Sequence, residues 1–214
     1  MPSIYEKMYS PKLLELFKNP KNVGEMKDPD AKSTEGSLAC GDMISIFLKI
    51  DKDTQRITDI KFLSYGCAAN IATTSLMTEM VKGKTLEEAK KLTFKEIAKE
   101  IGGLPTTKMH CAVLSIDGLQ SAVRNYEEKQ GLVKIPKVDE SFVRSRLRHV
   151  MNPKLGRDIV STGMLGEIKI EQGRIELDLD VSRAGEFENY IVEEVNERLK
   201  NLPTVKEVKI NVRK

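Results

Sequence analysis

Residues 43–83, MISIFLKIDKDTQRITDIKFLSYGCAANIATTSLMTEMVKG, hold two periodicities back to back. From Met43 to Asp51 the side chains of Ile44, Ile46, Leu48 and Ile50 fall on one face, the pattern of a half-buried strand. The polar residues 52–55 follow, and Arg56–Tyr65 reads as the returning partner, so a β-hairpin is predicted. At Cys67 the period changes. Ile71, Leu76, Met77, Met80 and Val81 are spaced for a helix, which Gly83 closes. A hairpin running straight into a helix, with a cysteine at the junction, makes this an α+β chain.

Beyond Gly83, Thr85 with Glu88 and Thr93 with Glu96 each match a capping box, in which a threonine and a glutamate three residues on satisfy each other's backbone donors. Two short helices are expected there. Gly102, Gly103 and Pro105 break the chain, and a long helix follows from about Lys108 to Lys129. The segment from Gly131 to Pro136 reads as a linker, and the basic residues change character across it. Residues 1–134 carry 18 Lys and two Arg, whereas residues 135–214 carry seven Lys and eight Arg. We therefore expect a domain of residues 1–133, a linker of 134–138 and a second domain of 139–214. The second reads as a helix (Phe142, Leu147, Val150), a hairpin (Met164–Ile170 and Arg174–Val181 about Gln172 and Gly173), a helix (Phe187, Ile191, Val192, Val195, Leu199) and a strand (Val205, Val208, Ile210, Val212). This is a small α+β sandwich with its helices on one face of a sheet.

Composition narrows the class. With 40% hydrophobic and 31% charged residues among 214, the chain is of ordinary globular type. A net charge of +3 is too small to argue for nucleic acid. No run approaches the roughly 18 apolar residues of a membrane span, and the start lacks the apolar core of a signal peptide. An odd and sparse cysteine count argues against a disulfide framework and for a reducing, cytoplasmic setting.

Cys40, Cys67 and Cys111 are the only thiols. Their separations are too long for a chelating knuckle, so a shared ligand would be gripped by three separate elements. Thiolates are soft ligands that suit zinc, copper(I) or iron–sulfur clusters. Cys40 lies ahead of a strand, Cys67 where a strand yields to a helix, and Cys111 in the first turn of the long helix. Unpaired N–H groups and the positive dipole end at a helix N-terminus lower a thiol's pKa. Cys67 and Cys111 are thus both expected to carry thiolate near neutral pH. Gly41 and Gly66, beside two of the thiols, permit close backbone approach or turns closed to other residues. Asp42 offers an oxygen that a soft metal holds loosely, and His110 a nitrogen. A single cysteine is most often a small buried hydrophobe, and Asp42 or His110 alone would be solvated polar groups. Together they make a four-coordinate set with one replaceable member, suited to a cargo that is handed on.

Ala39–Asp42 (ACGD), Tyr65–Ala69 (YGCAA) and Lys108–Cys111 (KMHC) resemble the three cysteine motifs of the IscU family of iron–sulfur cluster scaffolds, also found as the N-terminal domain of NifU. Tyr9-Ser10-Pro11, Asn19-Pro20 and Val81–Leu86 extend the resemblance over roughly residues 5–130. It implies an antiparallel sheet packed with helices and a transient [2Fe–2S] cluster. It also implies sulfur from a cysteine desulfurase or other donor, apo iron–sulfur proteins as acceptors, and Zn2+ as an occupant of the cluster-free form. The ligands it implies are Cys40, Cys67, Cys111 and one of Asp42 or His110. The sequence leaves open whether the chain works as a monomer, a homodimer or a higher oligomer. Leu104–Lys108 (LPTTK) departs from the family's chaperone-binding segment, Leu-Pro-Pro-Val-Lys, which puts handover to an Hsp70 in doubt. It keeps Lys108, a modulator of the neighbouring thiol. Residues 139–213, with VMNPKLGRDIV at 150–160, are similar to SufT- and PaaD-like assembly domains. Asn152-Pro153-Lys154 stands where that family has Asp-Pro-Glu, and the cysteine often found after its second strand is absent. That likeness supports fold more than activity. Arg144, Arg146, Arg148, Lys154 and Arg157 form either a solvated basic face or a docking patch for an acidic partner; His149 is most simply structural.

Two functions compete. The first is a non-enzymatic scaffold that assembles and transfers a cluster. The second is a zinc-bound sulfurtransferase carrying persulfide on a low-pKa cysteine; the family's zinc-bound sulfur acceptors carry an insertion before the third motif, and none is visible between Gly83 and His110. A closed structural zinc site would want four firm ligands, for which Asp42 is out of place. A hydrolase built on Cys111 and His110 is poorly served, because neighbouring residues of a helix point about 100° apart.

Overall fold

The computed structural model describes residues 8–37, 41–134, 137–202 and 204–214. These divide into two compact units. One runs up to Glu35 and resumes from Asp42 to Arg124; the other takes in Gly36, Ser37, Gly41 and Asn125–Lys214.

The first unit is built on the predicted hairpin. Strands β1 (Ala31–Gly36), β2 (Met43–Asp51) and β3 (Arg56–Tyr65) lie in the order β1-β2-β3, with β2 and β3 antiparallel. Ile44, Ile46, Leu48 and Ile50 are buried on one face as their alternation requires, but Met43 and Phe47 are buried on the other. The strand is therefore covered on both sides toward its start and is half-buried only near Lys49. A register shift between Lys49 and Ile50 explains why Ile57 and Ile60, three residues apart, are both buried. The extra residue of a β-bulge moves the alternation on by one.

Helix α1 (Pro11–Lys18) is capped by Ser10, whose hydroxyl accepts from Leu13 N. Helix α2 (Ala68–Val81) follows directly from β3. The two short helices α3 (Leu86–Lys90) and α4 (Phe94–Glu100) carry complete capping boxes at Thr85/Glu88 and Thr93/Glu96, as their sequences predict. A 3-10 turn (Thr106–Lys108) then leads into the long helix α5 (Met109–Lys129). Gly118 sets how closely α5 meets the sheet. A Cβ there would stand 2.6 Å from Ile44 Cδ1, and Ser33 Oγ donates to the Gly118 carbonyl at 2.7 Å. Leu114, Leu119, Ala122 and Val123 are buried along the same helix.

The last turns of α5 go with the second unit, where Glu128 pairs with Arg146. Helix α6 (Glu140–Leu147) is followed by a minimal pair, β4 (Met151–Asn152) with β5 (Arg157–Asp158), which the sequence pattern does not announce. The predicted hairpin is β6 (Leu165–Glu171) and β7 (Arg174–Asp180), turning through Gln172 and Gly173, both with positive φ. Helix α7 (Glu188–Lys200) crosses back, and β8 (Glu207–Arg213) joins beside β7 in parallel. Val143, Leu147, Ile159, Ile175, Leu177, Leu179, Ile191, Val195 and Leu199 share one core. Of the basic residues near the start of this unit, Arg144 pairs with Glu140 and Arg146 with Glu128. Both are held by the protein's own acids. Among the described residues no helix is long and apolar enough to cross a membrane.

Candidate metal centre

The site lies in the first unit, where two helices begin. Cys67 is the N-cap residue of α2, with extended backbone (φ −76°, ψ 168°), and its carbonyl accepts the first turn's bond from Ile71 N at 3.1 Å. Cys111 is the third residue of α5 and is fully buried. Their sulfurs are 3.6 Å apart. A tetrahedral metal with sulfur bonds of about 2.3 Å would set two ligating sulfurs about 3.8 Å apart. The two thiols, 44 residues apart in sequence, therefore already stand near the spacing that one metal ion requires.

A set of buried hydroxyls holds that spacing. Ser115 Oγ donates to the Cys111 carbonyl at 3.0 Å and lies 2.9 Å from Thr74 Oγ1 and 3.2 Å from Thr73 Oγ1. Thr73 and Thr74 belong to α2 and Ser115 to α5, so the helix carrying one thiol is fastened to the helix carrying the other. A helix face of Thr and Ser, turned inward, is thus a positioning device.

Asp42 is buried, and its Oδ2 accepts from Cys67 N at 3.4 Å. One ligand atom each of Asp42, His110 and Cys111 lies within 4.8 Å of the others. His110 Nε2 is buried and has no hydrogen-bond partner among the described residues, which leaves it available to a metal. Of the predicted ligands, Asp42, His110 and Cys111 come together, Cys67 joins them beside the Cys111 sulfur, and Cys40 lies outside the described residues. Gly66 makes room for side chains of the protein itself. A Cβ there would meet Asp42 Cγ at 2.9 Å and Asn70 Cγ at 3.1 Å, so its bareness admits two protein side chains. Gly41 has φ of +74°, a turn conformation closed to most other residues.

The Cys67 thiol is pulled down to about 6. The chief cause is a hydrogen bond from Cys111; burial opposes it, the Asn70 N–H favours the thiolate, Asp42 opposes it and Lys108 assists. The sulfur makes no full capping bond, yet the Asn70 N–H is near enough to stabilise its negative charge. Lys108 is held above the ordinary lysine range, first by the charge on Cys67. Lys108 and Cys67 thus stabilise each other's ionised forms. The sequence alone suggested ionisation of both helix-end thiols, but two thiolates at this distance would repel. One ionises while Cys111 donates to it.

Thiolate, imidazole and carboxylate together suit iron or zinc rather than calcium or magnesium, which prefer oxygen throughout. Residues 8–133 match the NifU-like N terminal domain family, well over half of the chain. The chain belongs to that family. A second match, to the Iron-sulfur cluster assembly protein family, covers residues 140–212. Two Archaeoglobus fulgidus proteins, the iron-sulfur cluster assembly scaffold proteins IscU 1 and IscU 2, are each 50% identical over 140 residues, 65% of this chain and 89% of theirs. The iron-sulfur cluster assembly scaffold protein IscU of Aquifex aeolicus is 42% identical over 125 residues, 58% of this chain and 80% of its own. Among solved structures, a NifU-like N-terminal protein from Brucella abortus aligns with a TM-score of 0.48 at 25% identity, over 59% of this chain and 99% of its own.

Four residues of the site carry no motif that would have marked them. Asn70, Thr73, Thr74 and Ser115 are wholly buried polar side chains on α2 and α5. The signal available was their polarity on helices that otherwise read as core.

Proposed function

We propose that the chain is a scaffold on which a [2Fe–2S] cluster is assembled from iron and sulfur and then passed to apo-proteins. One observation carries this reading: two thiols 3.6 Å apart with Asp42 and His110 converging beside them. Three soft ligands, Cys40, Cys67 and Cys111, would grip the cargo, and Asp42 or His110 would complete its coordination. The carboxylate is the hard member of that set, so its bond to iron is the weakest and the first to exchange. That lability gives an incoming acceptor thiol a position to attack. The cluster is cargo, and the chain's own work is to hold its iron, present one open edge and let go.

Sulfur enters at Cys67. It is half-buried rather than sealed, its thiolate predominates near neutral pH, and Lys108 screens its charge. These are the properties of a nucleophile that takes the outer sulfur of a donor's persulfide while the donor's own thiolate leaves. A cysteine desulfurase is the donor class that fits. The reducing cytoplasm, where thiols stay free, is the setting. The unit matching residues 140–212 contributes no thiol to the site and is read as an accessory domain for partners in the same assembly process.

A second reading draws on the same thiol. With zinc in the site, Cys67 would carry persulfide and pass it on as a sulfurtransferase, and its low pKa favours that role as well. Anaerobic incubation with iron and sulfide separates the two. The scaffold reading expects the absorption of a [2Fe–2S] centre, with iron and acid-labile sulfide in equal amounts. A chain that takes up only zinc, and persulfide on Cys67, would overturn it.

A further inference from the structure

Asn70 is the third residue of α2, one turn beyond Cys67, and its side chain is fully buried. Ser64 Oγ donates to its Oδ1 at 2.8 Å, which fixes the orientation of the amide. The Nδ2 group is left buried with two protons and no partner among the described residues. The point where a Gly66 Cβ would stand is 3.1 Å from Asn70 Cγ and 2.9 Å from Asp42 Cγ, so amide and carboxylate flank the same spot beside the thiol. A buried donor without a partner is destabilising, and the Ser64 bond at Oδ1 meets only the other half of the amide. The site therefore keeps an unmet donor beside a residue chosen to bind sulfur.

Resting on the scaffold reading, we propose that Asn70 is a positioning residue whose Nδ2–H donates to a sulfur of the cluster assembled at Cys67. Sulfur in a cluster is a soft, anionic acceptor, and hydrogen bonds to it tune cluster properties. Asp42 cannot serve in this way because an ionised carboxylate only accepts. The two neighbours divide the work: Asp42 offers an exchangeable oxygen to iron, and Asn70 offers a proton to sulfur.

The test uses the full chain with Asn70→Ala and the shape-keeping Asn70→Leu, each loaded anaerobically with iron and sulfide beside the unsubstituted protein. Two readouts are compared: loss of the cluster to a chelator, and the shift of the Fe–S stretching bands when water is replaced by D2O. Both variants should load, lose the cluster about tenfold faster, as expected for one hydrogen bond to a charged acceptor, and show a smaller D2O shift. The apo variants should stay folded and melt cooperatively, lowered only by the lost Ser64 bond and, in Asn70→Ala, by the space left behind. A folded variant with unchanged loss rate and unchanged D2O shift overturns the assignment while leaving the scaffold intact. Lower melting in both variants with an unchanged D2O shift marks a structural role and also overturns it. An unsubstituted chain that takes up no cluster overturns the scaffold reading and this inference together.

Discussion

Replacing Cys111 by alanine should change the reactivity of Cys67 in a way that depends on pH. In the apo-protein the Cys67 thiol sits at about 6 instead of the ordinary 9.0, and the Cys111 hydrogen bond is the largest cause. At pH 7 a thiol of that acidity is about 90% ionised, against about 1% for an unperturbed one, an advantage of about 90-fold in thiolate. Intrinsic nucleophilicity falls as acidity rises, with a Brønsted slope of about 0.4–0.5, which returns about 15- to 30-fold over three units. The net advantage at pH 7 is therefore about three- to sixfold. Loss of the Cys111 donor should move the midpoint of alkylation upward into the ordinary thiol range or beyond it, because burial and Asp42, which oppose ionisation, outweigh the Asn70 N–H and Lys108 that remain. It should slow the reaction at pH 7 by at least about that factor. Above the new midpoint the order reverses, since the less acidic thiolate is the better nucleophile. The assay is iodoacetamide labelling of chelator-treated protein from pH 5 to 10, read on the Cys67 peptide so that Cys40 does not contribute. A midpoint that stays near 6 in Cys111→Ala, with no crossing of the two profiles, would refute the reasoning.

Four further expectations follow from the same geometry. Asp42→Ala should keep a bound cluster but slow its transfer to an apo-ferredoxin, because the exchangeable oxygen is gone; an unchanged rate and lifetime would leave His110 as the fourth ligand. Gly66→Ala puts a methyl 2.9 Å from Asp42 Cγ and should cost about 1–3 kcal/mol of stability, seen as a lower thermal midpoint together with weaker iron loading. Lys108→Gln should raise the Cys67 alkylation midpoint by less than Cys111→Ala does, and added salt should shrink the difference, since a charge at this degree of exposure is screened. The fragment 139–214 should melt cooperatively in chelator, because it holds every buried residue of the second core and no thiol; a disordered fragment would mean that the last turns of α5, with Glu128, are needed to complete it.

What could be read from the sequence was what repeats. The alternation in β2 and the turn at Gln172-Gly173 announced both hairpins, and the threonine–glutamate pairs marked where α3 and α4 begin. Strand β1 has no apolar alternation in its sequence, because Ser33, Thr34 and Glu35 are buried polar residues. Helix α1 was not predicted: it is only eight residues long, and Ser10-Pro11 is the one local mark of its start. The parallel seat of β8 depends on the crossover of α7, which no local pattern encodes. At the site, the cysteines, Asp42 and His110 could be named because each stands beside another ligand type. Asn70 and the Ser115 group could not, since a polar residue inside a helix reveals its role only when the neighbouring helix is in place. The acidity of Cys67 was anticipated from its helix end, but its largest cause, the sulfur of Cys111, is a contact made by the fold.

The most direct measurement is the transfer of a cluster from this chain. The protein is loaded anaerobically with iron and sulfide, repurified and mixed with an apo-ferredoxin in the presence of a chelator, and visible circular dichroism follows the cluster. The expected result is loss of the scaffold's signal matched by growth of the ferredoxin's, faster than the chelator strips iron. Ser replacement of Cys40, Cys67 or Cys111, one at a time, should abolish the stable loaded form. A chain that keeps its full iron and sulfide with one of these cysteines replaced, or that yields its iron to the chelator while the ferredoxin stays empty, would contradict the account.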